Sequence, residues 1–280
     1  MTIIVTVKVT DGIVLAADSA ASFFGVGESR VKIYNNANKI FNLVRGYPIG
    51  AMVYGAGGIG SASVETLSKD LRTLFLKSTI GSPDYVDSEN YTISDITSIV
   101  RNFFDNHYTT EYPDGREAFF MGYRVCGYSA GASLPEILEF MIAGNVVSQV
   151  FEVQGKDEFG LRWAGENEPL DRLLMGRTSE LKQILIDNGL TEAVAEDIAN
   201  GQVIRAAASP LAVPAMPIQD AIDVGRFLVE TAGKFARYGL RPETIGGPTE
   251  IAAVTKHEGF KWVERKHYYR PALNQETDHV

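Results

Sequence analysis

From its second residue the chain alternates: Ile3, Val5, Val7 and Val9 are interleaved with Thr6, Lys8 and Thr10, the period-two pattern of a strand with one buried face. Asp11-Gly12 then gives a two-residue hairpin signal, because a type I′ turn needs positive φ at both central positions. The return run, residues 13–17, is apolar until Asp18, so the hairpin folds Asp18 back beside Thr2. Residues 19–38 are small and polar, with Gly25, Gly27 and an Asn35-Asn36 pair, and read as a loop with a short strand near 31–34. Strands follow at 39–43 and 49–53, divided by a Tyr47-Pro48 turn. The second runs into the glycine cluster of residues 54–61 and then a helix with Val64, Leu67, Leu71, Leu74 and Phe75 on one face.

Ser94 is expected to cap a second helix, whose stripe is Ile96, Ile99, Val100, Phe103 and Phe104. Runs at 118–126, 137–142 and 146–153 pair most simply as an antiparallel meander. Residues 170–208 carry short helical patterns, and 209–217 holds Pro210, Pro214 and Pro217, which regular helix excludes. Pro217 suits the first turn of a long helix over 218–238, ended by Gly239. Strands at 249–255 and 260–266 complete the order. Strands, helices, strands, a long helix and strands again predict an α+β fold of two antiparallel sheets packed face to face with helices outside both.

Composition narrows the function. The 280 residues are 45% hydrophobic and 22% charged, in the range of a globular protein with a substantial core. A net charge of −9 argues against nucleic acid as a partner. The single Cys126 excludes an internal disulfide framework and fits a reducing compartment. With no secretion signal and no membrane-length apolar run, the expected location is the cytoplasm, with no membrane association. The four histidines have no metal spacing, and no cofactor is expected.

Loss of Met1 would leave Thr2 with a free α-amine on the residue that carries the hydroxyl. Such an amine ordinarily titrates at about 7.7–8.0, so the weak nucleophile brings its own base. The alternative is an ordinary hairpin that starts with threonine. Lys39 opens an apolar strand and wants a buried partner, which Asp18 supplies unless Asp18 only caps a turn; Lys32 competes with Lys39. The glycine cluster offers backbone N–H groups to an anion, with Gly57 the rival of Gly55. Its Gly55-x-Gly57-x-x-Gly60 pattern is set aside as a nucleotide site, because hairpins rather than a βαβ unit precede it. Gly127-Tyr128-Ser129-Ala130-Gly131 matches a nucleophile elbow by letter but reads as a turn, and Cys126 reads as a small core residue.

Thr2, the hairpin ending in Ala16-Ala17-Asp18-Ser19, Lys39-Ile40, the Gly55 cluster before a helix, and Ile245-Gly246-Gly247 before a late strand together resemble the proteasome β-subunit family, HslV-type peptidases included, among the N-terminal nucleophile hydrolases. The resemblance is best over residues 2–75 and weakest over 155–215. It implies a four-layer αββα sandwich: one domain over 1–267, with a helical insertion at 170–216 and a flexible tail at 268–280. It also implies a threonine-type peptidase acting on a peptide or protein. Thr2 Oγ would be the nucleophile and its amine the base. Asp18 and Lys39 would form a buried pair beside it, and the Gly55 N–H would serve the oxyanion. Ser22 would hold the substrate backbone. Ala21 and Val53 would line a pocket for a mid-sized apolar side chain.

Two departures touch the proton relay. Gly165-Glu166 stands where the family has a Ser-Gly pair, and Ile245 stands at a serine position, which leaves Glu166, Glu243 and Thr244 as relay candidates. The family further implies a homo-oligomer that can close into a ring, without identifying an ATPase partner; because no propeptide precedes Thr2, methionine removal alone is the expected maturation. Two other readings stay open: a connectase-like peptide ligase, and a non-catalytic scaffold like an α-subunit.

Overall fold

The structure, a computed structural model, describes residues 2–24, 31–240 and 244–266. It is α+β, with antiparallel sheets. The first half holds β1 (Ile3–Val9), β2 (Gly12–Ala17), β3 (Ala21–Phe24), β4 (Val31–Tyr34), β5 (Ile40–Asn42), β6 (Ile49–Gly55), the two-residue strands β7 (Gly58–Ile59) and β8 (Ala62–Ser63), α1 (Val64–Lys77) and α2 (Ile93–Glu111). The second holds β9 (Phe120–Gly127), β10 (Glu136–Ala143), β11 (Val146–Val147), β12 (Phe151–Gln154), β13 (Gly160–Gly165), the short helices α3 (Glu168–Leu170), α4 (Leu181–Asp187), α5 (Glu192–Asn200) and α6 (Gln202–Ala207), the long α7 (Ile218–Tyr238), β14 (Glu250–Thr255) and β15 (Gly259–Glu264).

One sheet runs β13-β1-β2-β14-β15; the other runs β11-β10-β9-β6-β5, with β12 also on β10. The hairpin forms, pairing Ile4 with Ala17 and Val9 with Gly12, but the expected Asp11-Gly12 type I′ turn is corrected: the loop residues are Thr10 and Asp11, neither at positive φ, and Gly12 already belongs to β2. The expectation of one buried face on its first strand is corrected: all seven residues of β1 are buried, Thr6 and Lys8 included. The odd-numbered side chains Ile3, Val5 and Val7 share an apolar cluster with Leu228, Val229 and Ala232 of α7. Ile4 on the other face clusters with Ile13 and Leu15 of its own sheet and with Met52, Cys126 and Ile137 of the second sheet. The polar positions therefore face protein instead of water, and each finds partners there. Thr6 Oγ1 donates to the Arg162 carbonyl at 3.2 Å, and Lys8 Nζ donates to the carbonyls of Gly155 and Lys156.

A third cluster packs α1 and α2 on β6, β9 and β10 through Leu67, Leu71, Val100, Phe104, Tyr123 and Phe140. The cap of α2 corrects the expectation of Ser94. Thr92, two residues earlier, is the N-cap: its Oγ1 accepts the Asp95 N–H at 3.0 Å and donates to the Asp95 carboxylate at 2.6 Å. The strands β3, β7, β8 and β13 fall where no strand is expected, and the run expected over 146–153 divides into β11 and β12. β13 is the one that matters for the site, because it flanks β1 from Lys8 to Ile3. Among the described residues, no helix is long and apolar enough to cross a membrane.

Candidate functional site

The end of β1 where the chain enters the fold is closed in. Thr2 is 4% exposed, its carbonyl accepts the Glu166 N–H at 2.7 Å, and Ile3 pairs with Gly165 of β13. Gly165 makes that approach possible: it has φ +106°, and a Cβ there would lie 1.9 Å from the Thr2 carbonyl oxygen. The next amide, Ile3 N–H, donates to Asp18 Oδ1 at 3.0 Å.

Asp18 is the hub of this corner. The hairpin returns it to the chain start, where Oδ1 takes Lys39 Nζ at 2.5 Å as well as the Ile3 amide. Its other oxygen accepts the Ala20 and Gly246 amides, each at 3.1 Å. The four donors account for a carboxylate that is only 2% exposed. Lys39 immediately precedes β5, whose Ile40 lies in the cluster between the sheets and draws it inward. Burial pushes the Lys39 pKa below that of free lysine; Asp18 opposes the shift, and so does the more distant Glu250, while Lys266 adds to it.

A cleft of about 390 Å³ opens over this corner, and Thr2, Lys39, Ala21, Val53 and Gly55 all line it. So does Gly57, the rival of Gly55. At Gly55, the last residue of β6, φ is +87° and a Cβ would meet the Phe120 carbonyl at 2.4 Å, so only glycine turns the strand here without strain. The neighbouring Ala56 N–H is already spent on that Phe120 carbonyl at 2.7 Å. Tyr34, at the end of β4, joins Asn35, Asn36 and Asn38, which the sequence reads as loop, in a polar wall, and Glu65 stands at the first turn of α1.

The remaining candidates divide. Ser22 lies on β3 opposite Ile33. Glu166 meets Thr2 through its backbone. Thr244 is buried, 4% exposed, while Glu243 and the 268–280 tail lie outside the described residues. The segment after α7 reaches Asp18 through the Gly246 amide, and Ile245, at the expected serine position, is fully buried against α7. Ser129 sits in a turn, as expected, bonded to Glu136 and to the Ile93 amide. Burial pushes the Cys126 thiol up to about 12, which suits a core residue and not a nucleophile. Among the described residues, no cluster of His, Cys, Asp and Glu has the make-up of a metal site.

Two residues of this corner have no counterpart among the sequence candidates. Glu250 begins β14 opposite Ala17, and Lys266 follows β15; they form an ion pair at 3.3 Å with side chains 0% and 8% exposed. The available signal is the one that exposes Lys39: a charged residue at the edge of an apolar strand.

No family model and no curated protein matches this sequence. Among solved structures, the chain is similar to a Gly-1 mutant of Anbu from Hyphomicrobium sp. strain MC1: 14% identity over 95% of this chain and 86% of that one, with a TM-score of 0.53. It also matches Anbu from Yersinia bercovieri, described as an ancestral beta-subunit, at 14% identity over 95% and 88% of the two chains, with a TM-score of 0.47. At this identity the likeness to the first is one of fold. The placement with proteasome β-subunits and HslV-type peptidases is corrected by the first of these neighbours, an Anbu protein.

Proposed function

We propose that the chain is an N-terminal threonine hydrolase that cleaves amide bonds through an acyl-enzyme, built on a four-layer αββα sandwich within one domain over residues 1–267 and carrying 170–216 as an insertion. Once Met1 is removed, the Thr2 amine takes the proton of Thr2 Oγ1 as that oxygen bonds to the substrate carbonyl carbon. The Gly55 N–H donates to the resulting oxyanion, a contribution of roughly 3–4 kcal/mol in well-studied hydrolases. Collapse breaks the C–N bond, the proton passes to the leaving amine, and water then hydrolyses the ester and restores Thr2. The Lys39 ammonium favours the alkoxide and disfavours protonation of the nearby amine, so that the base stays available near neutral pH. Asp18 positions Lys39. Ser22 contacts the substrate backbone, Ala21 and Val53 contact its side chain, and Glu166, Glu243 and Thr244 are candidates for relaying protons.

The observation that carries this reading is that one carboxylate, Asp18, holds both the amide next to Thr2 and the Lys39 ammonium, with Thr2 and Lys39 on one cleft. A peptide or protein substrate, a cytoplasmic location and a homo-oligomer belong to the same proposal. The exposed Phe227, Phe235 and Tyr238 of α7 suit a subunit contact. A fluorogenic peptide assayed with and without an added amine tests it: release of free acid in both arms supports the hydrolase, and product only as the amine conjugate marks a ligase. Retained Met1 with no turnover in either arm identifies a scaffold.

A further inference from the structure

We infer that Glu250 and Lys266 are a positioning pair for Lys39, a second buried ion pair that clamps the two chain segments on which Lys39 and Asp18 ride. The inference rests on the proposed role of Lys39 and deepens it. Lys266 Nζ donates to Ser19 Oγ at 2.7 Å and to the Ala37 carbonyl, so it ties the residue after Asp18 to the segment two residues before Lys39. Ser19 is fixed further by its Oγ on the Pro248 carbonyl at 2.6 Å and by its carbonyl on the Ala37 amide at 2.9 Å. Glu250, across β2 from Ala17, supplies the carboxylate that makes burial of Lys266 tolerable. Two cations and two carboxylates thus share one buried corner, and their sum is neutral.

The charges facing Lys39 come from each element around it: Asp18 at the end of β2, Glu250 on β14, Lys266 after β15, and the Thr2 amine once exposed. Glu65 of α1 lines the same cleft and acts on Lys266. Glu250 favours the Lys39 ammonium and Lys266 opposes it, which makes the pair separable by substitution. Burial raises the Glu250 carboxyl and lowers the Lys266 ammonium, each drawn back chiefly by the other. The pair is thereby sensitive to loss of one partner and tolerant of loss of both.

The test compares Glu250→Gln, Lys266→Met and the double variant Glu250→Met/Lys266→Met with wild type. The titration of Lys39 is read by NMR of ¹³C-lysine-labelled protein, and kcat and KM are read across pH with a peptidyl-aminomethylcoumarin. The expected result is that Glu250→Gln lowers the Lys39 midpoint and Lys266→Met raises it, each by about one pH unit. The alkaline limb of the activity profile moves with the midpoint. The double variant is expected to titrate near wild type, with kcat reduced and KM held, because the clamp on Ser19 and Ala37 is gone. Lys266→Arg is expected to restore kcat. Midpoints that stay fixed, or that move together, overturn the inference. If the single variants fail to fold, a double variant with wild-type kcat overturns it, and one with reduced kcat at constant KM supports it. The NMR titration does not depend on turnover, so a wild type with no acyl-enzyme at Thr2 sinks the hydrolase reading without deciding this one.

Discussion

Two buried ion pairs in this protein are built alike and placed differently. Asp18 and Lys39 meet at 2.5 Å with side chains 2% and 5% exposed; Glu139 and Arg124 meet at 2.8 Å with side chains 4% and 3% exposed. Each carboxylate is completed by further donors, Asp18 by three backbone amides and Glu139 by the Tyr54 hydroxyl at 2.5 Å. Arg124 also reaches Thr6 Oγ1 of the other sheet at 3.4 Å. The difference is access. Lys39 lines the cleft beside Thr2, whereas Arg124 and Glu139 are enclosed where β1, β6, β9 and β10 meet. A sealed pair can only fix how the sheets sit on one another; a pair with one face on a cavity can also act on what enters it.

Thr2→Ala gives the largest expected effect on that contrast. It is expected to abolish acyl-enzyme formation and lower turnover by at least about 10³-fold. The melting temperature should stay unchanged, because Thr2 is tied to β13 through its backbone carbonyl. A variant that keeps wild-type turnover breaks the comparison at its open end. Asp18→Asn comes next. It leaves the Lys39 ammonium buried without its counter-charge, so stability should fall by about 3–5 kcal/mol in urea unfolding, and turnover per folded molecule should fall as well.

Glu139→Gln probes the sealed end. It is expected to destabilise by a similar margin, about 3–5 kcal/mol, while turnover per folded molecule keeps its wild-type value. Replacing both partners, Arg124→Met with Glu139→Leu, should be neutral or stabilising by about 1–4 kcal/mol. A catalytic loss in either variant beyond the folded fraction shows that the sealed pair reaches the cleft through Tyr54, and erases the distinction drawn here.

The smallest effect is at Lys8, a buried cation hydrogen-bonded to carbonyls instead of a carboxylate, whose pKa burial lowers from 10.5 to about 8. Between those two values the unfolded chain binds a proton that the folded chain has released, so stability rises with pH across that window. Lys8→Met should flatten the rise in urea midpoints. A slope unchanged in the variant assigns it to another group.

What can be read from the sequence follows which features are local. The hairpin after Val9, the alternation of β1, the apolar stripes of α1 and α2 and the bounds of α7 between Pro217 and Gly239 are encoded within a few residues, and those elements form close to where the pattern places them. Whether a strand meets water or a second sheet is decided by distant residues, so Thr6 and Lys8 have the pattern of a solvent face and are buried. β13 escapes detection because Gly160–Gly165 is bounded by glycines and its alternation is only Leu161-Arg162-Trp163, too short to mark a strand, and its place is set by backbone pairing with β1. At the site, Lys39 stands out because a charge at the head of an apolar strand demands a partner. Glu250 and Lys266 satisfy the same rule at the ends of two expected strands, but nothing in either run shows that the two meet. The Gly246 amide, which donates to Asp18, has no signature in residue type at all.

The central claim is that the chain-terminal threonine is the group that attacks. Intact-mass analysis with peptide mapping, after incubation with an electrophile that traps acyl-enzyme nucleophiles, tests it most directly. The account predicts one adduct per chain, on Thr2, in protein that has lost Met1. An adduct on any other residue, or none on a chain whose Thr2 amine is free, contradicts it.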